Sequence, residues 1–165
     1  MLIGGQGVLL YGEPRLTQDV DVTLGIDLTR LSELVSVVRE MGFELLVDDV
    51  DEFVRQTWVL PTLDGSTGLR VDFILSWTEY ERKAIERAHS VQVEGYPVRY
   101  ATAEDLIIHK IFSGRARDLE DVRSILIRQQ VNLEEIKRWL NSFEKSTGED
   151  YLSRLESVLK ELPSE

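Results

Sequence analysis

The chain has 165 residues, of which 42% are hydrophobic and 30% are charged, a balance typical of a globular domain that can bury a core. The absence of cysteine excludes disulfide bonds and thiolate chemistry, and no apolar run is long enough to suggest a membrane span. The net charge of −11 argues against an extensive nucleic-acid surface, and because the first residues lack the pattern of a signal peptide we expect a cytoplasmic protein.

The hydrophobic pattern predicts an α+β (α/β) fold in which a mixed sheet precedes a series of helices. Strands are expected at 19–26, 43–47, 53–63 and 69–75, with a hairpin at 90–102. Helices are expected at 6–12, 28–42, 78–88, 103–112, 119–130, 132–146 and 150–162. An acidic turn is expected at 48–52 and a connector at 113–118. We expect residues 1–101 to contain the sheet and residues 102–165 to contain helices packed on it, within one structural domain.

Three aspartates stand among apolar residues in predicted strands. Asp19 and Asp21 are separated by one residue, so both side chains are expected on one side of a strand, about 6.6 Å apart. Asp72 has the same context in the strand predicted at 69–75. Converging carboxylates repel one another, and Mg²⁺, which prefers oxygen ligands, is their natural counter-charge. A shared carboxylate can bridge two ions in the two-metal arrangement of phosphoryl chemistry.

The other notable patterns allow a simpler interpretation beside the functional one. The amides of Gly4 and Gly5 can face an anion at the start of a following helix, or the pair can be a tight turn. A second Asp-x-Asp, formed by Asp49 and Asp51, lies in a run of acids that we interpret as a solvated turn. Asp-x-Asp spacing alone is therefore weak evidence for a metal site.

One short segment concentrates positive charge. It contains His109, Lys110, Arg115 and Arg117. These side chains can provide the counter-charge that a triphosphate needs. The simpler interpretation is a solvated turn between two helices, with Asp118 as the N-cap and Asp121 in the first turn of the second helix.

Taken in order, these segments resemble the nucleotidyltransferases of the DNA polymerase β-like superfamily, and most closely the bacterial group that includes the AbiEii-type proteins. The order and approximate spacing agree over residues 3–126. The matching motifs are Gly4-Gly5, Arg15-Leu16-Thr17, Asp19-Val20-Asp21, Asp72 in "RVDFIL", and Lys110, Arg115, Asp118 and Asp121.

The resemblance implies a mixed central sheet and Mg²⁺-dependent transfer of a nucleoside monophosphate from an NTP to a hydroxyl of a tRNA, a protein or a small molecule. Asp19 and Asp21 would hold two Mg²⁺ ions, and Asp72 would bind one of them and help to deprotonate the acceptor. The residues implied in nucleotide and phosphate binding are Gly4, Gly5, Arg15, Thr17, Lys110, Arg115 and Asp118. Many superfamily members have serine where this chain has Gly5, and the side chain of Thr17 or Gln6 could take the place of that serine at the phosphate.

Two further hypotheses stay open at this point. The chain could be a non-catalytic nucleotide-binding or partner-binding module, with residues 132–162 as its interaction surface, or a structural protein with incidental acids. As an enzyme it could be one half of a toxin–antitoxin pair, with an antitoxin as its partner. Replacing Asp19 or Asp21 by Asn separates these hypotheses: a catalyst loses turnover and keeps its fold, whereas a structural protein gains stability because repulsion is removed.

Overall fold

The computed structural model of the chain describes residues 1–76 and 78–163. These residues form two compact units: the first comprises Met1–Gln6 and Leu16–Tyr100, and the second comprises Gly7–Arg15 and the chain from Ala101 onwards. The elements of the first unit are β1 Asp19–Leu24, α2 Leu31–Glu40, β2 Phe43–Leu45, α3 Val50–Thr57, β3 Val59–Asp64, β4 Arg70–Leu75, α4 Glu79–Glu86, β5 His89–Val93 and β6 Tyr96–Tyr100. Those of the second are α5 Ala103–Ser113, α6 Ala116–Arg128, α7 Leu133–Thr147 and α8 Tyr151–Lys160. Helix α1, Gly4–Tyr11, begins in the first unit and ends in the second.

The first unit is built on a mixed sheet with the strand order β1-β4-β3-β2. Strand β4 pairs in parallel with β1 and antiparallel with β3, and β2 pairs antiparallel with β3. Strands β5 and β6 form a separate hairpin. Leu2 connects it to β1, because this residue forms backbone bridges with both Val22 and Tyr100. The mixed sheet with helices confirms the predicted fold class.

One face of this sheet packs on an apolar core, which determines where the polar face lies. The buried residues of this core come from α2, α3, β3 and β4: Leu31, Leu34, Val38, Val54, Leu60 and Leu75. Successive side chains of a strand point to opposite faces. Phe73 packs against this core, so its neighbour Asp72 lies on the opposite face of β4.

The second unit is a group of helices whose ends are defined by the local sequence. The side chains of Thr102, Asn132 and Asp150 accept backbone hydrogen bonds at the starts of α5, α7 and α8, as expected of N-caps. Gly114 and Gly148 end α5 and α7 in the left-handed conformation, which glycine adopts without steric cost. The fully buried aliphatic side chains include Leu106, Ile107, Ile108, Ile111, Val122, Ile125, Ile136, Leu140 and Leu155.

Two predictions about elements are wrong. Residues 50–52 of the expected acidic turn and residues 53–57 of the strand expected at 53–63 form helix α3 instead, because the Asp49 side chain accepts a hydrogen bond from the Glu52 amide and starts a helix. Asp118 is not an N-cap: α6 begins one turn earlier, with Arg115 at the N-cap position, so Asp118 is its third residue and is buried.

None of the helices in the described part of the chain combines the length and the apolar character needed to cross a membrane.

Candidate active site

Two aspartates of the first unit are direct neighbours on paired strands. The parallel register of β1 and β4 pairs Asp21 with Asp72 and Asp19 with Arg70. Since residues two apart share a face and register partners lie side by side, Asp19, Asp21 and Asp72 lie on the same face of the sheet. The structure therefore brings together the three carboxylates that the sequence singled out.

Arg70 provides positive charge at this acid cluster. Its Nε donates a hydrogen bond of 2.9 Å to Oδ1 of Asp72, whose side chain is only 15% exposed. The hydrogen bond to Asp72 raises the pKa of Arg70 above its usual value against the opposing effect of burial, and the charges of Asp19 and Asp21 add to the increase. The guanidinium group thus interacts electrostatically with all three carboxylates.

The two adjacent glycines allow side chains of the cluster to approach the start of α1. A Cβ atom on Gly4 would overlap the carboxylate of Asp21, and a Cβ atom on Gly5 would overlap the hydroxyl of Thr17. That hydroxyl in turn donates a hydrogen bond of 3.0 Å to Oδ1 of Asp19. Any larger residue at these positions would push Asp21 and Thr17 away, so the glycines are needed for close packing at this end of the sheet.

A groove of about 660 Å³ lies beside these residues, within the first unit. It is lined by the segments 16–19 and 67–70, which lead into β1 and β4. Asp19 and Arg70 are part of the lining, so the groove opens directly next to the acid cluster.

The second unit holds a group of ion pairs around the buried Lys110, with the 78% exposed side chain of Arg115 at its outer side. Its Nζ lies 2.8 Å from Oδ1 of Asp118 and 2.8 Å from Oδ2 of Asp121. Arg15 binds Asp121 through two hydrogen bonds of 2.7 Å each, and Nε of Arg115 donates to Oδ2 of Asp118 at 2.8 Å. The predicted phosphate-binding residues Lys110, Arg15, Arg115 and Asp118 are therefore together, and carboxylates hold each of the three cations.

The two aspartates of this group have pKa values below the usual range. Burial alone would raise the pKa of Asp118, but the hydrogen bonds from Lys110 and Arg115 outweigh it and hold this pKa below its usual value. Burial opposes the shift at Asp121 too, and the hydrogen bonds from Arg15 and Lys110 outweigh it, so its pKa is also lowered. Both aspartates are thus ionised at neutral pH and act as counter-charges.

The family model for nucleotidyltransferases of unknown function (DUF6036) matches residues 1–160. The chain belongs to this family of nucleotidyltransferases.

Two solved structures are similar to this nucleotidyltransferase. The solution structure of the antibiotic-resistance factor ANT(2'')-Ia aligns with a TM-score of 0.57 and 17% identity, covering 89% of this chain and 82% of that one. The crystal structure of an antigenic nucleotidyltransferase-like protein from Paracoccidioides brasiliensis aligns with a TM-score of 0.51 and 17% identity, covering 98% and 84%. No curated protein sequence matches the chain. At this identity the two structures show a shared fold.

The acid cluster of this nucleotidyltransferase suits Mg²⁺ by its donor chemistry. Among residues 1–76 and 78–163, no group of three or more histidine, cysteine, aspartate or glutamate side chains is arranged so that it could hold a metal ion. The three carboxylates nevertheless share one sheet face and supply only oxygen donors, which Mg²⁺ prefers. They fit a metal that binds together with a substrate, since such ions usually take one or two carboxylates plus phosphate oxygens.

Sequence reasoning missed two partners of the predicted residues. Arg70 stands two positions before Asp72 on one face of β4, and this Arg-x-Asp spacing in a strand was a usable signal. The pairing of Arg15 with Asp121 spans 106 residues, and no local pattern indicates it.

Proposed function

We propose that this chain is an Mg²⁺-dependent nucleotidyltransferase that moves a nucleoside monophosphate from an NTP to a hydroxyl acceptor. The observation that carries the proposal is the placement of Asp19, Asp21 and Asp72 on one face of two paired strands, in a chain of nucleotidyltransferase family. Three neighbouring carboxylates on one sheet face repel one another, and the single guanidinium group of Arg70 balances only one of the three charges, so the cluster favours a further cation.

The residues of the cluster would share the work of the reaction. Asp19, Asp21 and Asp72 would hold Mg²⁺, which supplies Lewis-acid stabilisation of the charge that develops on the phosphoryl oxygens. Asp72 would take the proton of the acceptor hydroxyl, whose oxygen then forms a bond to the α-phosphorus while pyrophosphate leaves. Thr17 would orient Asp19 through the hydrogen bond between their side chains.

The first turn of α1 is the proposed place for the β- and γ-phosphates. Backbone N–H groups at a helix start lack helical partners and carry partial positive charge, so they favour anions. Gly4 and Gly5 add no side chains of their own there, and a phosphate would share this place with the Asp21 carboxylate and the Thr17 hydroxyl that pack against the two glycines.

In the second unit, a phosphate group would have to compete with two carboxylates for the predicted phosphate-binding cations. Lys110, Arg115 and Arg15 would contact phosphate only if it displaced Asp118 or Asp121 from them, since these carboxylates hold the three cations.

Calorimetric titration of each NTP, with and without Mg²⁺, tests the proposal on the wild type and on Asp19→Asn, Asp21→Asn and Asp51→Asn. Asp51 is the matched control because it belongs to the other Asp-x-Asp and its side chain is 80% exposed. We expect metal-dependent binding in the wild type and the control and its loss in the other two. With α-labelled NTP, turnover should fall by at least about 100-fold in Asp19→Asn and Asp21→Asn.

Other outcomes would contradict the proposal. If the folded wild type binds no NTP, the proposal that the chain is an NTP-dependent enzyme fails. If it binds NTP without metal and without turnover, the result favours a non-catalytic nucleotide-binding module. The toxin role and AbiEii-type grouping are finer proposals that rest on the sequence resemblance. They require that expression arrests growth and that Asp19→Asn abolishes the arrest.

A further inference from the structure

Arg70 binds one of the carboxylates that the proposed metal site would use. Its guanidinium group donates a hydrogen bond of 2.9 Å to Asp72, and in the strand register it lies directly beside Asp19. The side chain of Arg70 is half exposed, at 52%, whereas that of Asp72 is 15% exposed. The arginine therefore reaches from the surface to a carboxylate that solvent screens only weakly.

We propose that Arg70 is an internal counter-cation that competes with the divalent metal ion for Asp72, so that metal binding requires the guanidinium group to leave this carboxylate. The proposal rests on the function proposed above. An oxygen that accepts a hydrogen bond from a guanidinium group is less available to a metal, and two positive charges side by side repel each other. Metal binding at Asp72 is then an exchange of one cation for another.

The surroundings of Arg70 suit such an exchange. Without a metal, the guanidinium group provides a positive charge that is hydrogen-bonded to Asp72, and Arg70 lies beside Asp19 in the strand register. When the group leaves Asp72, the groove of about 660 Å³ that Arg70 lines offers it space in solvent. No backbone rearrangement of β4 is needed, since an arginine side chain can move by rotation about its own bonds.

Titration with Mn²⁺, followed by electron paramagnetic resonance, measures the competition without any turnover. The proteins compared are the wild type, Arg70→Gln, Arg70→Lys and the control Arg55→Gln. Arg55 lies in the same unit and its guanidinium is 4.0 Å from Asp51, so the control removes the same charge from an exposed pair. We expect Arg70→Gln to bind Mn²⁺ about fivefold more tightly than the wild type, and Arg55→Gln to match the wild type within about twofold.

Thermal unfolding in a chelator and in Mg²⁺ gives a second, independent measurement. In the chelator, Arg70→Gln should unfold at a lower temperature than the wild type, because its three carboxylates lose their counter-charge. Added Mg²⁺ should raise the unfolding temperature of Arg70→Gln more than that of the wild type. Arg70→Lys keeps a positive charge, and we expect its affinity for Mn²⁺ to lie between those of the wild type and Arg70→Gln.

Unchanged or weaker Mn²⁺ binding by folded Arg70→Gln and Arg70→Lys would overturn the inference, because a competitor cannot be removed without a gain in affinity. If the Arg70 variants show no gain while the wild type binds Mn²⁺ and Asp19→Asn does not, the proposed function stands and only the role of Arg70 fails. If neither the wild type nor any variant binds Mn²⁺, the metal site itself fails and the inference fails with it.

Discussion

Gly5 and Thr17 approach each other so closely that position 5 tolerates only glycine. A Cβ atom on Gly5 would overlap the Thr17 hydroxyl and lie 2.8 Å from the Thr17 Cβ. We expect Gly5→Ala to lower the free energy of unfolding by about 1–3 kcal/mol, as overpacking does elsewhere. Chemical denaturation measures this change, and the same substitution should weaken NTP binding because it moves Thr17 away from Asp19.

The matched control is Gly65→Ala. A Cβ atom there would lie 3.2 Å from the end of the flexible Glu44 side chain and at an ordinary 3.8 Å from the Gly42 carbonyl oxygen, so we expect a cost below about 0.5 kcal/mol. Combining Gly5→Ala with Thr17→Gly should recover part of the lost stability. Equal effects of the two alanine substitutions would show that the contact between Gly5 and Thr17 is not tight.

At the scale of elements, Lys110 connects α5 to α6 through Asp118 and Asp121. The side chain of Lys110 is 8% exposed and those of both aspartates are 5% exposed. Lys110→Met should therefore lower the free energy of unfolding by about 3–5 kcal/mol, because two buried carboxylates lose a partner.

Urea denaturation of Lys110→Met and Lys137→Met tests this expectation. Lys137 is 42% exposed and lies 3.9 Å from Glu134, so its substitution should change the free energy of unfolding by less than about 0.5 kcal/mol. A small effect of Lys110→Met would mean that Arg15 and Arg115 alone neutralise the two aspartates.

Helices and strands with a regular hydrophobic pattern could be predicted from the sequence. Elements whose first residues resemble a loop could not. The alternation in β1 and β4 and the helical spacing in α2 follow directly from which side of each element is buried. Helix α3 was missed because its acidic first turn looked like a solvated loop, although Asp49 is a standard helix start. The early start of α6 was missed because Arg115, its N-cap residue, makes no capping hydrogen bond with its side chain.

Strand alternation also allowed part of the acid cluster to be predicted. The spacing of Asp19 and Asp21 fixes their common face, but neither strand alone reveals that Asp21 pairs with Asp72. That pairing is decided by the packing of the whole sheet, which no local window contains.

At the scale of the whole molecule, the lowered pKa values of Asp118 and Asp121 predict a loss of stability in acid. Their carboxylates bind protons less readily in the folded chain than in the unfolded chain. The stabilisation is complete above the ordinary pKa of about 4 and is lost as the pH falls through the lowered values. His109 adds to this trend at higher pH, since burial lowers the pKa of its imidazole and the unfolded chain takes up that proton first.

Denaturant unfolding at a series of pH values from 7 to 3 measures this dependence. We expect the free energy of unfolding to fall as the pH decreases, most steeply below about pH 4. Lys110→Met should show a shallower decrease in the acidic range, because its aspartates have lost a cation that lowers their pKa values. Parallel pH profiles for the two proteins would contradict the role of Lys110.

The mixed sheet also has a consequence for the order in which the chain folds. Strands β3 and β4 are joined by the short turn 65–69, whereas the 45 residues 25–69 separate β1 from β4. Closing a long loop costs more entropy than closing a short one, so we expect the hairpin of β3 and β4 to form before β1 docks on it. During synthesis Asp21 emerges before Asp72, but the two would become neighbours only when β1 docks on this hairpin, so the proposed metal site would be complete only after that pairing.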